Sequence, residues 1–297
     1  MATQKSKKNG LLPADALTGV RLGISVSESL DLARLGLTEN HFRIAIGEIA
    51  RCVLASNGQL TYGGHLDPEG YTVFLMGELE RYHRGDRPFH ICLAWSEHRR
   101  YPLDYLREQR QLLKSKGDIT YLDVEGTPMD DPATGRTEEP VPEPDSAIQK
   151  QGLTALRRYM AKNTEGRIFI GGKRTDFSGD LPGLVEEAIL ALEADQPIYL
   201  AGGFGGVTLD MVRVLGIDDC DWFPGFSDGG PDVSGPDPRW TDGLERLARI
   251  REERDGKLPD NGLDDLENRQ LAATHRPSEI AALIGLGLGR RFVKLPD

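Results

Sequence analysis

Two adjacent carboxylates, Glu186 and Glu187, stand one turn into an apolar helical run that opens after Pro182-Gly183. A carboxylate placed there faces the crevice beyond the end of the preceding strand. It can polarise a ribose hydroxyl, or serve an N-glycosidic bond as acid, base or charge stabiliser. Acids in a first helical turn also complement the helix dipole with no further role. Adjacent helical residues point about 100° apart, so at most one of the pair faces a ligand well. Upstream, Lys173 and Arg174 follow Gly171-Gly172 and offer cations for a phosphate, with plain surface solvation as the alternative. Gly202, Gly203, Phe204, Gly205 and Gly206 form a glycine-rich turn leading into a helix, as a phosphate cradle requires, although neither GK[ST] nor the GxGxxG spacing is present. A third glycine pair, Gly63-Gly64, is followed by His65, a proton donor or a turn cap. Ser25 and Ser27 end an earlier strand with hydroxyls suited to phosphate or ribose oxygens, or to capping.

These residues need strands to end where helices begin. Arg167–Ile170 and Gln196–Ala201 are short apolar runs, each stopped by a glycine pair, and read as buried parallel strands. Between them Leu184, Val185, Ala188, Ile189, Ala191 and Leu192 recur at helical spacing after a start signal at Asp180-Leu181-Pro182. The unit is β-α-β, and ligands sit at the carboxyl ends of its strands, where free helix N–H groups point at anions. The same alternation begins at Val20–Val26 and continues through a helix from Thr38 to Asn57-Gly58, a strand Gln59–Tyr62, a helix over 70–82, a strand Pro88–Trp95, a helix Leu103–Lys116 and a strand Asp118–Leu122. The fold expected is α/β, a Rossmann-like, doubly wound, mainly parallel sheet with helices on both faces and a C-terminal helical extension. The first prediction is that the glycine pairs at 63–64, 171–172 and 202–203 converge on one crevice at the C-terminal sheet edge.

Residues 17–216 form the Rossmann-like nucleotide-binding domain, interrupted at 123–145 by an acidic, proline-rich insertion read as a solvated loop or a flap. Residues 217–297 form an aromatic loop and helical extension packed on the same domain. That loop carries Trp222, Phe223 and Phe226, with Trp240 beyond it. In the tail, Pro277–Phe292 has apolar side chains around much of its circumference and glycines at 285, 287 and 289, so it needs cover to be helical. Docking on its own sheet and a homo-oligomer interface both supply that cover.

The net charge of −11 disfavours nucleic acid, since a polyanion-binding surface needs an excess of cations. Cys52, Cys92 and Cys220 are far apart in sequence, and no HExxH or spaced Cys/His set occurs, so no metal and no cofactor is expected. Reduced core cysteines and the lack of an 18-residue apolar window predict a cytoplasmic protein without a membrane partner.

The order strand-GG (Tyr62–Gly64), strand-GG (Ile170–Gly172), PG-x-x-EE (Pro182–Glu187) and strand-GGFGG (Leu200–Gly206) resembles the SLOG superfamily over roughly Leu22–Val214. That group comprises Rossmann-like domains of the cytokinin-activating phosphoribohydrolases, of DNA-processing protein A, and of sensors in bacterial antiphage systems. The resemblance implies a nucleotide-derived ligand (ADP-ribose-type, cyclic or mononucleotide), a role as sensor or processing component in antiviral defence, and a possible separate effector protein. In the phosphoribohydrolases a PGGxGTxxE motif joins strand to helix. Gly171-Gly172 and Glu186/Glu187 resemble its two halves, separated here by KRTDFSGDLPGLV, with Gly183 at the second half and Arg174 as nearest candidate for the catalytic arginine. The alternative function so implied is an N-glycosidic hydrolase of nucleotides.

Overall fold

A computed structural model describes residues 12–82, 87–136, 140–224 and 237–293; the N-terminal segment 1–11 and Phe226 lie outside them. Seven strands form one sheet: β1 (Arg21–Ser27), β2 (Gln59–Gly63), β3 (Phe89–Leu93), β4 (Gly117–Leu122), β5 (Pro128–Met129), β6 (Gly166–Gly171) and β7 (Ile198–Ala201). Their order is β5-β4-β3-β2-β1-β6-β7. All neighbours pair in parallel except β5, which runs antiparallel to β4. The helices are α1 (Glu39–Ala55), α2 (Tyr71–Tyr82), α3 (Trp95–Arg99), α4 (Leu103–Leu113), α5 (Ser146–Lys162), α6 (Gly183–Glu193), α7 (Gly206–Val214), α8 (Pro238–Glu253), α9 (Asp265–Ala273) and α10 (Pro277–Phe292).

Strand alternation divides the core in two. Leu22, Ile24, Ile168, Ile170, Tyr199 and Ala201 pack with residues of α1, α2 and α10, whereas Phe169, Ile198 and Leu200 pack with α6, α7 and Leu247 of α8. The sheet is therefore doubly wound. The chain steps outward from β1 through β2, β3 and β4, then returns to the far side of β1 with β6, which makes the β1/β6 junction the topological switch point.

Local signals account for the boundaries. Thr38 caps α1 in a capping box completed by His41, and Asn57 ends the turn after α1 at φ 62°. Three elements depart from the sequence reading. The apolar run through Trp95 ends as a strand at Leu93, and Trp95 opens α3, whose residues pack on α5. Helix α6 takes Pro182 as N-cap, while Asp180 lies outside it and pairs with Lys150 at 3.0 Å. The insertion is strapped down in its described part. Pro128 and Met129 pair with β4, Val141 N–H donates to Arg99 O at 3.0 Å, and Trp95 Nε1–H donates to Glu143 at 3.0 Å.

Helix α10 lies on the chain's own α1. Ile280, Ile284 and Leu288 are buried, and a Cβ added at Gly285 would stand 2.9 Å from Cys52 Sγ.

Candidate functional site

A cavity of about 330 Å³ opens at the C-terminal ends of β1, β2 and β6, where the chain changes winding direction. Ser27 and Glu28 border it from β1, Gly63, Gly64 and His65 from β2, and Lys173, Asp176 and Phe177 from the loop after β6. Arg157 of α5 and Glu187 of α6 form its inner wall. The glycines at the β2 end leave room for neighbouring side chains. A Cβ on Gly63 would fall 2.5 Å from Met160 Sδ, and one on Gly64 2.2 Å from the Tyr62 ring.

Two glutamates and two arginines form a buried lattice behind this wall. Glu187 accepts hydrogen bonds from Arg167 Nη1 at 2.6 Å and from Ser25 Oγ. Glu186 accepts from Thr154 Oγ1 at 2.5 Å and from Arg157 Nη1. Arg157 Nε also lies 3.9 Å from Glu187 Oε1. Arg167 has no exposed surface, because β6 sets it opposite Gly23 of β1, where a Cβ would lie 3.0 Å from its Nε. Arg157 is seated in the same way, with Gly179 and Gly183 flanking its guanidinium at 2.9 and 3.0 Å from their Cβ positions. Gly183 thus makes room for an arginine. The Tyr62 hydroxyl is pushed well above its ordinary range by burial first, then by the charges of Glu187 and Glu97, so it stays a neutral donor beside the cavity.

At the rim Lys173 Nζ meets Glu28 at 3.1 Å across the mouth. His65 Nδ1 is 3.2 Å from Asp67, whose carboxylate also receives Arg100 Nη2 at 2.6 Å and the Tyr101 hydroxyl at 2.7 Å. Among the described residues no three His, Cys, Asp or Glu side chains gather as a metal site, and no helix is long and apolar enough to cross a membrane.

Ser27, Gly63, Gly64, His65, Lys173, Gly183 and Glu187 are thus brought together, with Ser25 and Glu186 directly behind. The remaining candidates lie elsewhere. Gly171 and Gly172 adopt φ of +72° and +112° and turn the chain against Ser27 O and Val207, where any Cβ would clash. Gly202 and Gly203 share the sheet edge but are covered, with Ala272 O and Thr274 O at 2.7 and 2.0 Å from their Cβ positions. Phe204 is fully buried, edge-on to Phe42 at 5.4 Å. Arg174 points away from the cavity into ion pairs with Asp31 and Asp210, both at 2.7 Å.

The arginines at the cavity are Arg157 and, behind it, Arg167, which the sequence reading did not single out. The signal was present, since Arg157 falls on the apolar stripe of α5 with Leu153, Leu156, Met160 and Ala161, where an arginine is out of place unless something receives it.

A family model described as SLOG cluster2 matches residues 16–225, well over half the chain. The chain belongs to the SLOG family. No curated protein and no solved structure matches it. The stretch matched to SLOG holds all seven strands and every residue named at the cavity, while α8, α9 and α10 lie beyond it.

Proposed function

We propose that this SLOG domain binds a nucleotide-derived small molecule in the β1/β6 crevice, as a sensor or processing component of a bacterial conflict system. One observation carries the binding reading: the cavity sits at the switch point of a doubly wound sheet, and its inner carboxylate, Glu187, already has its charge compensated by a fully buried arginine. Glu187 Oε2 takes both Arg167 and Ser25, and Oε1, 3.9 Å from Arg157 Nε, keeps lone pairs to accept from a ribose hydroxyl. Lys173 and Arg157 serve an anionic group, and the rings of Phe177 and Tyr71 supply apolar surface for a base. SLOG membership supports a nucleotide-related ligand.

Hydrolysis of an N-glycosidic bond is the second reading, favoured by Arg157 and Glu187 lying together on the cavity wall. In that reading Glu187 stabilises the charge of an oxocarbenium-like centre. The test is to incubate the full chain with a panel of nucleotides, recording thermal shift and chromatographic turnover together. We expect at least one nucleotide to raise the melting temperature and be recovered intact. Release of free base, lost in Glu187→Gln while binding persists, establishes the hydrolase instead. A panel that produces neither response removes both readings.

A further inference from the structure

Tyr62 brings a hydroxyl to the crevice and leaves it without a partner. Its ring leaves β2 on the side of α1 and α2 and leans over the chain at Gly64, where a Cβ would stand 2.8 Å from the hydroxyl oxygen. Tyr62 is 5% exposed and lines the cavity, yet among the described residues its hydroxyl makes no hydrogen bond. Tyr71, on the same wall, shows the contrast, since its hydroxyl donates to Glu39 Oε1 at 2.9 Å. A buried hydroxyl with no partner costs stability, and phenylalanine would fill the same space without that cost. An unpaired polar group in such a place points to a partner that arrives with a ligand.

What else faces the hydroxyl decides the chemistry of that partner. Burial first, then the charge of Glu187, keeps Tyr62 protonated, so it donates. Glu187, on the same cavity wall, keeps lone pairs on Oε1 and accepts. A ligand atom that meets both has to accept from Tyr62 and donate to Glu187. A phosphate oxygen only accepts and is repelled by the carboxylate, whereas an ammonium only donates. A hydroxyl does both. With the phosphate of a nucleotide drawn to Lys173 and Arg157, the hydroxyls left to fill this place are those of the ribose.

We propose that the Tyr62 hydroxyl is a specificity determinant: with Glu187 it recognises a ribose hydroxyl, so that the crevice takes ribonucleotides and discriminates against their deoxy counterparts. This rests on the nucleotide reading of the crevice and narrows it to ligands with an intact ribose. A ligand lacking the hydroxyl strands a buried donor and a buried carboxylate together. Sites built to hydrogen-bond a hydroxyl reject the analogue without it for that reason, here by roughly tenfold or more.

Isothermal titration of the full chain with ribonucleoside 5′-monophosphates and with their 2′-deoxy and 3′-deoxy forms tests it. For any base that binds, the wild type is expected to take the ribonucleotide at least about tenfold tighter than one of the two deoxy forms. Tyr62→Phe should bring that ratio toward one by weakening the ribonucleotide alone. The melting temperature of the unliganded variant should hold or rise, because the hydroxyl removed had no partner. A wild type indifferent to both deoxy forms, a ratio unchanged in Tyr62→Phe, or an effect of Tyr62→Phe that follows the base and not the sugar overturns the proposal while the nucleotide reading stands. A Tyr62→Phe chain that does not fold shows that the fold needs the hydroxyl, and overturns it too. If no nucleotide binds at all, the functional reading fails on its own, and ribose 5-phosphate against 2-deoxyribose 5-phosphate then decides for Tyr62. A preference for the first that Tyr62→Phe removes supports the assignment, and equal binding or binding of neither overturns it.

Discussion

The charges around the cavity are a matter of single residues placed opposite gaps. Gly23 makes room for Arg167, Gly179 and Gly183 for Arg157, and each guanidinium then finds a glutamate. Removing one partner of a buried ion pair costs more than the pair contributes, because the remaining charge has lost both water and its counter-ion. Glu187→Ala should therefore destabilise the fold by about 3–5 kcal/mol by leaving Arg167 uncompensated at zero exposure. Urea denaturation measures this, and a loss below about 1 kcal/mol would mean that the Arg167 pair does not form. For the same reason alanine is a poor probe of function at this position, and glutamine, which keeps the shape, is the better one. The sequence pointed to the glutamates because they follow a legible PG start. It pointed to Arg174 because of adjacency to a glycine pair, whereas the arginine at the cavity is set by helical phase and by glycines that come only after the next strand.

At the scale of elements, strands and helices were legible because each is punctuated: Asn57-Gly58, the glycine pairs after β2, β6 and β7, and Pro277 at the start of α10. Short α3 was not, since Trp95 extends an apolar run without a break and only Ala94, the extended N-cap of α3, separates strand from helix. Nor was the strap legible, because acidic and proline-rich composition speaks of solvation and says nothing of a landing place. That landing place is α3. Arg136 Nη2 donates to His98 O at 2.8 Å and lies 3.2 Å from His98 Nδ1, while His98 Nε2 is 3.1 Å from Leu122 O. With a guanidinium at Nδ1, the neutral ring carries its proton on Nε2 and donates it to that carbonyl. Burial above all, with the nearby Arg136 and Arg99 charges, holds the imidazole down at about 4, the carbonyl bond offsetting part of this. A folded pKa below the unfolded value near 6.5 means that the stabilisation is complete above pH 6.5 and is lost as pH falls toward 4. Between pH 6.5 and 5 the His98 share of that loss is about 2 kcal/mol. Melting temperatures across this range should fall less steeply for His98→Gln than for the wild type, and parallel slopes would refute the assignment.

For the molecule as a whole, the tail supplies cover that the matched SLOG stretch lacks. Ile280, Ile284 and Leu288 are buried, each representing roughly 1.5–3 kcal/mol of apolar transfer, and α1 contacts α10 along its length. Deleting residues 277–297 should uncover that face of α1 and abolish cooperative unfolding or cause aggregation. Light scattering and denaturant titration of the truncated chain test this, and a monomer that unfolds cooperatively at wild-type stability would show that the helix is dispensable.

Among the described residues both margins of the sheet are short. On one side the last strand has two residues and begins with Pro128, which has no N–H to offer; on the other, β7 has four residues and lies against α9. Short margins of this kind offer an extended peptide few backbone groups to zip onto, which disfavours the edge-to-edge growth that seeds fibrils. A second copy or effector is then read mainly through side chains on helices and loops, surface residues that are free to vary while the sheet beneath stays the same.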